Sequence, residues 1–462
     1  MPIAGTISRR RGAAFAAVRT KYSAWPEAAQ AQGKTFSHMA FRIKTTGRRH
    51  ETATDRQERI SWWSQEKLRQ ARVMIIGAGA LGNEVAKNLA LVGVGYMLIV
   101  DFDDIEVSNL SRTALFRQDD LGKRKARVAA QRALELNVEP AAVVEAFDGD
   151  VVWDLGLGVY RRLDIVLGCL DNIEARLAVN RACLLTGKPY LDAGIRELAG
   201  SIYLFQPPFS SCFSCATTKR EREGANARYD SCFQTLRRGY AQGKLATVQV
   251  TSAMIAAMQV EHALKWLHGR LHLNGVRIQY DGSSATPYFD ATTILPRPHC
   301  ECQALQPLPA FLRLAGGTRT TTLRGLLRAL HEAGIEEPVV KFPNSFVPGV
   351  ECSHCAEYTE IMRPLHRLKS DELQCRHCRR AGDREGLQLH YLSDSLDLAE
   401  AGMKETREQL LDLTLNKLGF PLMHIYGAQD RQGQMHYVEL ANDFAETLPG
   451  LAQQNCNFSE ML

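Results

Sequence analysis

Residues Val73–Leu89 read VMIIGAGALGNEVAKNL. An apolar run of strand length leads into a G-x-G-x-x-G turn at Gly77, Gly79 and Gly82, and then into a run with helical spacing that opens on small residues. Glycines at those three places let the backbone bend tightly and approach a phosphate closely. The helix behind them offers free amides and the positive end of its dipole to an anion. The stretch therefore predicts the strand–turn–helix unit of a doubly wound α/β sheet, without saying whether the phosphate belongs to a dinucleotide or to ATP.

Working outward, short apolar runs alternate with helical periodicity from Val73 to about Leu204: VMII, a helix to Val92, YMLIVD, a helix around Lys125–Leu136, VVEAF, DIVLGCL, a helix to Thr186, and PYLDAG. Such alternation implies a parallel sheet covered on both faces. Ser201–Pro207 adds a strand, and the polar stretch Thr217–Lys244 reads as a long loop. A long amphipathic helix from Leu245 to Gly269 and the strands VRIQYD and ATPYFDATTIL follow. The Pro-rich segment Pro296–Pro309 marks a boundary. Beyond it come a helix over Thr320–Gly334, a cysteine-bearing knuckle over Val350–Gly382, and an α+β end with a helix near Lys404–Leu418 and a hairpin across DRQGQ.

At 462 residues the chain exceeds one ordinary core, so two or three domains are expected. No apolar run is long enough for a membrane span, and the Arg-rich start lacks the apolar stretch of a secretory signal, which points to a cytoplasmic protein. The net charge of +5 is uneven along the chain. Residues 1–50 hold ten Lys or Arg against Glu27 alone, whereas the remainder carries 46 basic and 50 acidic residues, so the folded body does not look like a nucleic-acid binder. The basic start, residues 1–54, admits three readings: a transit peptide, a disordered extension, or translation upstream of the true start.

Asp101 follows Gly82 by 19 positions at the end of the second strand, where a carboxylate meets ribose hydroxyls in NAD and ATP sites alike. The next residues favour ATP. DFDDIEVSNLSR is too polar to continue the sheet, and it brings Asn109 and Arg112 above the strand end, while GKRKARVAA sets Lys125 at the start of a helix. Converging donors and cations suit a triphosphate, because phosphoryl or nucleotidyl transfer chiefly needs charge stabilisation. GCLDNIEAR then puts Asp171, a natural Mg²⁺ ligand, at another strand end, with Arg176 one turn into the helix.

The twelve cysteines fall largely in close pairs, which suggests metal sites or reactive thiols before disulfides. Cys352-x-x-Cys355 and Cys375-x-x-Cys378, 19 residues apart, have the spacing of a zinc ribbon. Cys212-x-x-Cys215 offers two thiolates for another Zn²⁺, with Cys300 and Cys302, or His299 in place of one of them, to complete the set. Cys169 and Cys183 fall in a strand and a helix and read as packing residues. CRRAGDR after Cys378 has its glycine one position late for a rhodanese loop, so a sulfurtransferase domain is not expected.

Taken in order, GAGALG, VDFDDIEVSNLSR, GKRKARVAA, CLDNIEAR, PYLDAGIRELAGSI, CFSC and PHCEC resemble the ubiquitin-activating enzyme superfamily, which includes the adenylating enzymes of molybdopterin and thiamin biosynthesis. The resemblance covers about residues 55–303 as a ThiF-type adenylation domain with a Rossmann-like sheet. It implies that Asp101 binds the ribose, that Asn109, Arg112 and Lys125 hold the triphosphate with Asp103 and Asn172 beside them, and that Asp171 holds Mg²⁺. Arg59 in RQERI matches an R-x-x-R element whose second Arg reaches the opposite subunit's triphosphate, although the Gln usual after it is Ile60 here. The family's second C-x-x-C is one residue short in Cys300-Glu-Cys302. The loop 217–245 is where the family keeps its catalytic or sulfur-accepting cysteine, which implies Cys232, flanked by Arg228, Arg237 and Arg238 that favour its thiolate.

The chain is thus expected to be an ATP- and Mg²⁺-dependent activating enzyme with two Zn²⁺ sites. It would adenylate the C-terminal glycine of a ubiquitin-like protein, carry it as a thioester on Cys232 and pass it to a conjugating enzyme, as a homodimer. Residues 304–349 are expected as linker and helix, 350–382 as the zinc ribbon and 383–462 as a small α+β unit. A sulfur-carrier adenylyltransferase is the alternative within the class. An NAD-dependent oxidoreductase and a zinc-ribbon nucleic-acid adaptor are the alternatives outside it.

Overall fold

In the computed structural model the described residues are 51–206, 210–226, 247–271, 274–352, 354–368, 375, 377–378, 387–392 and 404–452. Five parallel strands form most of the main sheet: β1 (Arg72–Ile76), β2 (Tyr96–Val100), β3 (Val143–Phe147), β4 (Ile165–Gly168) and β5 (Tyr190–Arg196). Three antiparallel strands, β6 (Ala199–Phe205), β7 (Asn274–Asp281) and β8 (Tyr288–Thr293), extend it in the order β3-β2-β1-β4-β5-β6-β7-β8. The α/β sheet read from the sequence is therefore present, as a large mixed sheet.

Alternation along the strands explains the layers. Val73 and Ile75 pack on one face with Val85 and Leu89 of the helix Ala80–Leu91, Ala129 of the helix Lys125–Leu136 and Ile255 of the helix Gln249–Leu267. Met74 and Ile76 pack on the other, with Val179 of the helix Ile173–Thr186. The chain moves outward from β1 to β3 and then returns to place β4 against β1. That reversal opens a crevice above the C-terminal ends of β1 and β4, the usual ligand position in such sheets.

The second half builds two smaller sheets. A four-stranded sheet runs β10-β14-β15-β9, from β9 (Leu312–Leu314), β10 (Val339–Val340), β14 (Ile425–Gln429) and β15 (Met435–Leu440). A three-stranded antiparallel sheet runs β12-β11-β13, from β11 (Phe346–Cys352), β12 (Tyr358–Pro364) and β13 (Leu387–Leu392). The segment read as linker and helix supplies β9, the helix Leu323–Glu332 and β10. Leu323, Leu326 and Leu330 share a core with Leu410, Phe420, Tyr426 and Val438. The physical reason is that the β14–β15 hairpin cannot bury its apolar face alone.

This second half also packs on the main sheet. Leu422, Met423, Phe444, Leu448 and Leu451 join the core that contains Met74 and Ile76. Among the described residues, no helix is long and apolar enough to cross a membrane.

Candidate active site and metal centres

The glycine turn is shaped by its neighbours. Gly77 sits at φ +97°, a left-handed conformation that favours glycine, and its amide donates to the Val100 carbonyl at 2.8 Å. A Cβ at Gly77 would strike the Cys169 carbonyl and one at Gly82 the Gly77 carbonyl, whereas a Cβ at Gly79 would meet nothing within 4 Å. The first and third glycines thus allow the turn to close, and the middle one faces open space. Gly79 is also the N-cap of the helix Ala80–Leu91 and provides no side-chain cap, so the first-turn amides are available to an anion.

Asp101 lies beside that turn. Its Oδ2 accepts from the Ala78 amide at 2.7 Å and its Oδ1 from the Asp103 amide at 2.8 Å. Burial pushes its pKa above the ordinary carboxylate range, opposed by the Lys125 charge and the two amides. Lys125 donates from Nζ to Asp103 Oδ2 at 2.6 Å, and its amide bonds the Asp103 carbonyl at 3.0 Å. Asp101, Asp103 and Lys125 therefore form one cluster beside the glycine turn.

Two expected ligand residues are partly committed elsewhere. Asn109 is buried, and its Oδ1 accepts from the Glu106 amide at 2.9 Å, which closes a short 3₁₀ turn. Asn172 caps the helix Ile173–Thr186 by accepting from the Ala175 amide at 2.8 Å, and it donates to Asp171 Oδ1 at 3.3 Å. Both residues shape the loops around the cradle. Arg112 is half-buried, with no side-chain partner among the described residues, and Asp171 is exposed at the end of β4. Arg59 pairs with Asp55 within its own helical turn at 2.5 Å. Cys232, Arg228, Arg237 and Arg238 lie outside the described residues.

A buried pair emerged beside Asp171 that spacing alone does not reveal. Arg176 forms an ion pair with Asp192 of β5, whose side chain is 0% exposed, and Tyr190 donates to the same carboxylate at 2.7 Å. Burial raises the Asp192 pKa to about 6 against the pull of Arg176. Gln259, fully buried on the helix Gln249–Leu267, donates to the Gly168 and Leu191 carbonyls at 3.0 and 2.7 Å and ties β4 to β5.

Two sets of four cysteines converge. Cys212 Sγ lies 3.9 Å from Cys215 and 3.6 Å from Cys300, and Cys215 lies 3.6 Å from Cys302. Cys352 is 3.8 Å from Cys378, and Cys355 is 3.6 Å from Cys375. Each set lies within 4.8 Å. Disulfides would need sulfurs about 2 Å apart, whereas four thiolates around one tetrahedral Zn²⁺ at about 2.3 Å have sulfurs roughly 3.8 Å apart. The donors therefore fit zinc at both places. Cys300-Glu-Cys302 reaches the set despite its short spacing because His299 adopts φ +57°, which turns the chain just before it. His299 is thus a turn residue, and the cysteines fill all four positions.

A model of the ThiF family matches residues 53–304. The chain belongs to the ThiF family. Its ThiF domain is similar to ubiquitin-like modifier-activating enzyme 5 of Dictyostelium discoideum, 32% identical over 250 residues that cover 51% of this chain and 62% of that one. It is similar to the sulfur carrier protein adenylyltransferase of Thermus thermophilus, 32% identical over 242 residues that cover 51% of this chain and 83% of that one. The crystal structure of Escherichia coli MccB with ATP aligns at a TM-score of 0.46 and 22% identity, over 57% of this chain and 76% of that one. The chain spans 56–64% of the length of the first three activating-enzyme relatives. The matched segment holds the glycine turn, the Asp101 cluster, the Asp171 loop and the first cysteine set, but neither the second set nor the four-stranded sheet.

Proposed function

We propose that this protein adenylates the C-terminal carboxylate of a ubiquitin-like protein. The observation that carries the reading is the open cradle at Gly79 beside the joined Asp101, Asp103 and Lys125 side chains. A carboxylate oxygen of the partner attacks the α-phosphorus of ATP, the bond to the bridging oxygen breaks, and pyrophosphate leaves. Arg112 and Lys125 neutralise charge on the phosphates, and Arg59 does so from a second copy across a two-fold dimer. Positioning and charge stabilisation supply the rate, since little covalent chemistry is asked of the protein. Asp171 would hold Mg²⁺, which would supply further charge neutralisation at the phosphates.

Cys232 then displaces AMP to form a thioester, which passes to a conjugating enzyme in the cytoplasm. Zn²⁺ at both cysteine sets is structural, and the second half, comprising the zinc ribbon and the four-stranded sheet, recruits a partner or the conjugating enzyme. Sulfur-carrier adenylation is the second reading, favoured by the similarity to the Thermus enzyme, of which the chain covers the larger share. Pyrophosphate exchange into ATP that depends on an added ubiquitin-like protein tests the adenylation step. Absence of exchange, with hydride transfer to a nicotinamide in its place, would refute it.

A further inference from the structure

The helix Ile173–Thr186 touches two sites at once. Near its start, Arg176 donates from Nη2 to the carbonyl of Leu170, the residue before Asp171, and to the Ala193 carbonyl at 3.0 Å, while Nη1 pairs with Asp192. The guanidinium fits because Gly194 carries no Cβ, which would lie 3.1 Å from Nη2. Asp192 fits because Gly168 carries none, which would lie 2.5 Å from Oδ1. The loop that presents Asp171 is thereby clamped to β5.

One turn further on, Asn180 accepts from the Phe213 amide, next to Cys212, at 2.8 Å, and donates to Glu301, between Cys300 and Cys302, at 3.5 Å. Arg181 holds the same Glu301 at 2.8 Å. Both halves of the first cysteine set are therefore fastened to this helix. Phe213 closes the loop back, since its ring lies 5.7 Å from the Arg176 guanidinium and packs edge-on to Tyr190 and Tyr203. Arg176 and Asn180 are four residues apart, so they lie on one face of the helix.

We infer that this helix is a strut that sets the Asp171 loop from the first thiolate centre, with Arg176 the positioning residue at one end and Asn180 at the other. The inference rests on the adenylation reading, because it gives the Asp171 loop a role in holding Mg·ATP. Metal bound by Cys212, Cys215, Cys300 and Cys302 fixes Phe213 and Glu301, which fix the helix, which fixes the loop. Outer partners of this kind alter metal affinity or activity by about 10- to 100-fold when removed.

The test uses the full chain and fluorescent methylanthraniloyl-ATP, titrated with and without Mg²⁺, alongside zinc release to a chelating dye. In the wild type, stripping zinc is expected to weaken Mg·ATP binding about tenfold, while Cys352→Ser, which disables only the second centre, leaves it unchanged. Arg176→Lys should keep its zinc but lose about tenfold in Mg·ATP affinity, with a smaller loss for ATP alone. Asn180→Leu, which leaves the ion pair untouched, should release zinc faster and weaken Mg·ATP as well. Mg·ATP affinity unchanged by zinc removal, or by both variants, overturns the strut. A wild type that binds no ATP at all overturns instead the adenylation reading beneath it.

Discussion

Arg162 and Glu439, 277 residues apart in sequence, form a bidentate ion pair at 2.6 and 2.7 Å with the carboxylate side chain 0% exposed. Arg162 follows the short helix Leu157–Arg161 of the ThiF domain, and Glu439 lies on β15. The guanidinium also stacks 3.6 Å above the Phe444 ring. The two halves of the chain are therefore joined by a desolvated charge pair set in shared apolar packing.

Removing one partner of such a pair leaves the other charged and buried, which costs about 3–5 kcal/mol. Arg162→Met should lower stability by that amount in urea unfolding. Arg313→Ala should cost less than about 1 kcal/mol, since Arg313 reaches the same carboxylate only at 3.4 Å from an exposed position. Equal effects of the two variants would show that the burial of Arg162 does not matter.

The glycine turn permits a sharper separation of folding from binding. Gly79 has ordinary backbone angles and free space at its Cβ position. Gly79→Ala should therefore keep stability within about 1 kcal/mol yet weaken ATP by at least about tenfold, a loss of roughly 1.4 kcal/mol, because the new methyl occupies the phosphate's approach. Gly82→Ala would drive its Cβ into the Gly77 carbonyl and should fail to fold normally. Paired melting curves and ATP titrations check both. Undiminished ATP binding by Gly79→Ala would remove the phosphate from this turn.

Much of this site was legible because its residues are near neighbours in sequence or follow a fixed period. The turn, the strands and the cysteine pairs are local patterns. Arg176–Asp192 was not legible, although both residues sit in stretches that look informative, because their pairing depends on β4 and β5 lying side by side. The side-chain oxygen of Asn109 closes a local turn, a use that its position above the strand end does not reveal. The four-stranded sheet was hidden for a different reason. Its strand β9 is three residues long and pairs in parallel with β15, more than a hundred positions away, so segment 304–349 has the composition of a linker.

The cysteine sets predict a stoichiometry. Purified protein should carry two zinc ions by elemental analysis, one for each set. Cys352→Ser should lose one and retain ATP binding, because its set lies outside the matched ThiF segment. Cys212→Ser should lose the other together with exchange, since Cys212 and Cys300 are buried in the wall of that domain with Leu184. Zinc contents unchanged by either variant would assign these thiols to packing.

Two histidines in the second half predict how stability responds to acid. His366 stacks on Trp153 at 4.7 Å with neither ring nitrogen bonded, and His424 is half-buried with its Nδ1 enclosed and unpartnered. Burial holds both pKa values down to about 4 against the usual 6.5; at His366 the Arg367 charge adds to this and Asp154 opposes it. A lowered folded-state pKa means the unfolded chain takes up protons first. The stabilisation is therefore complete above about pH 6.5 and is lost progressively as pH falls toward 4. Asp150 and Asp192 act oppositely, since burial raises each to about 6 and their contribution fades as pH rises from about 4 to 6. The histidine effect is thus read by difference. Between pH 7 and pH 4.5 the wild type should lose more stability than His424→Leu, by at most about 3 kcal/mol, as measured by urea unfolding at each pH. Parallel losses in the two proteins would show that His424 takes up its proton equally well in the folded and unfolded chain.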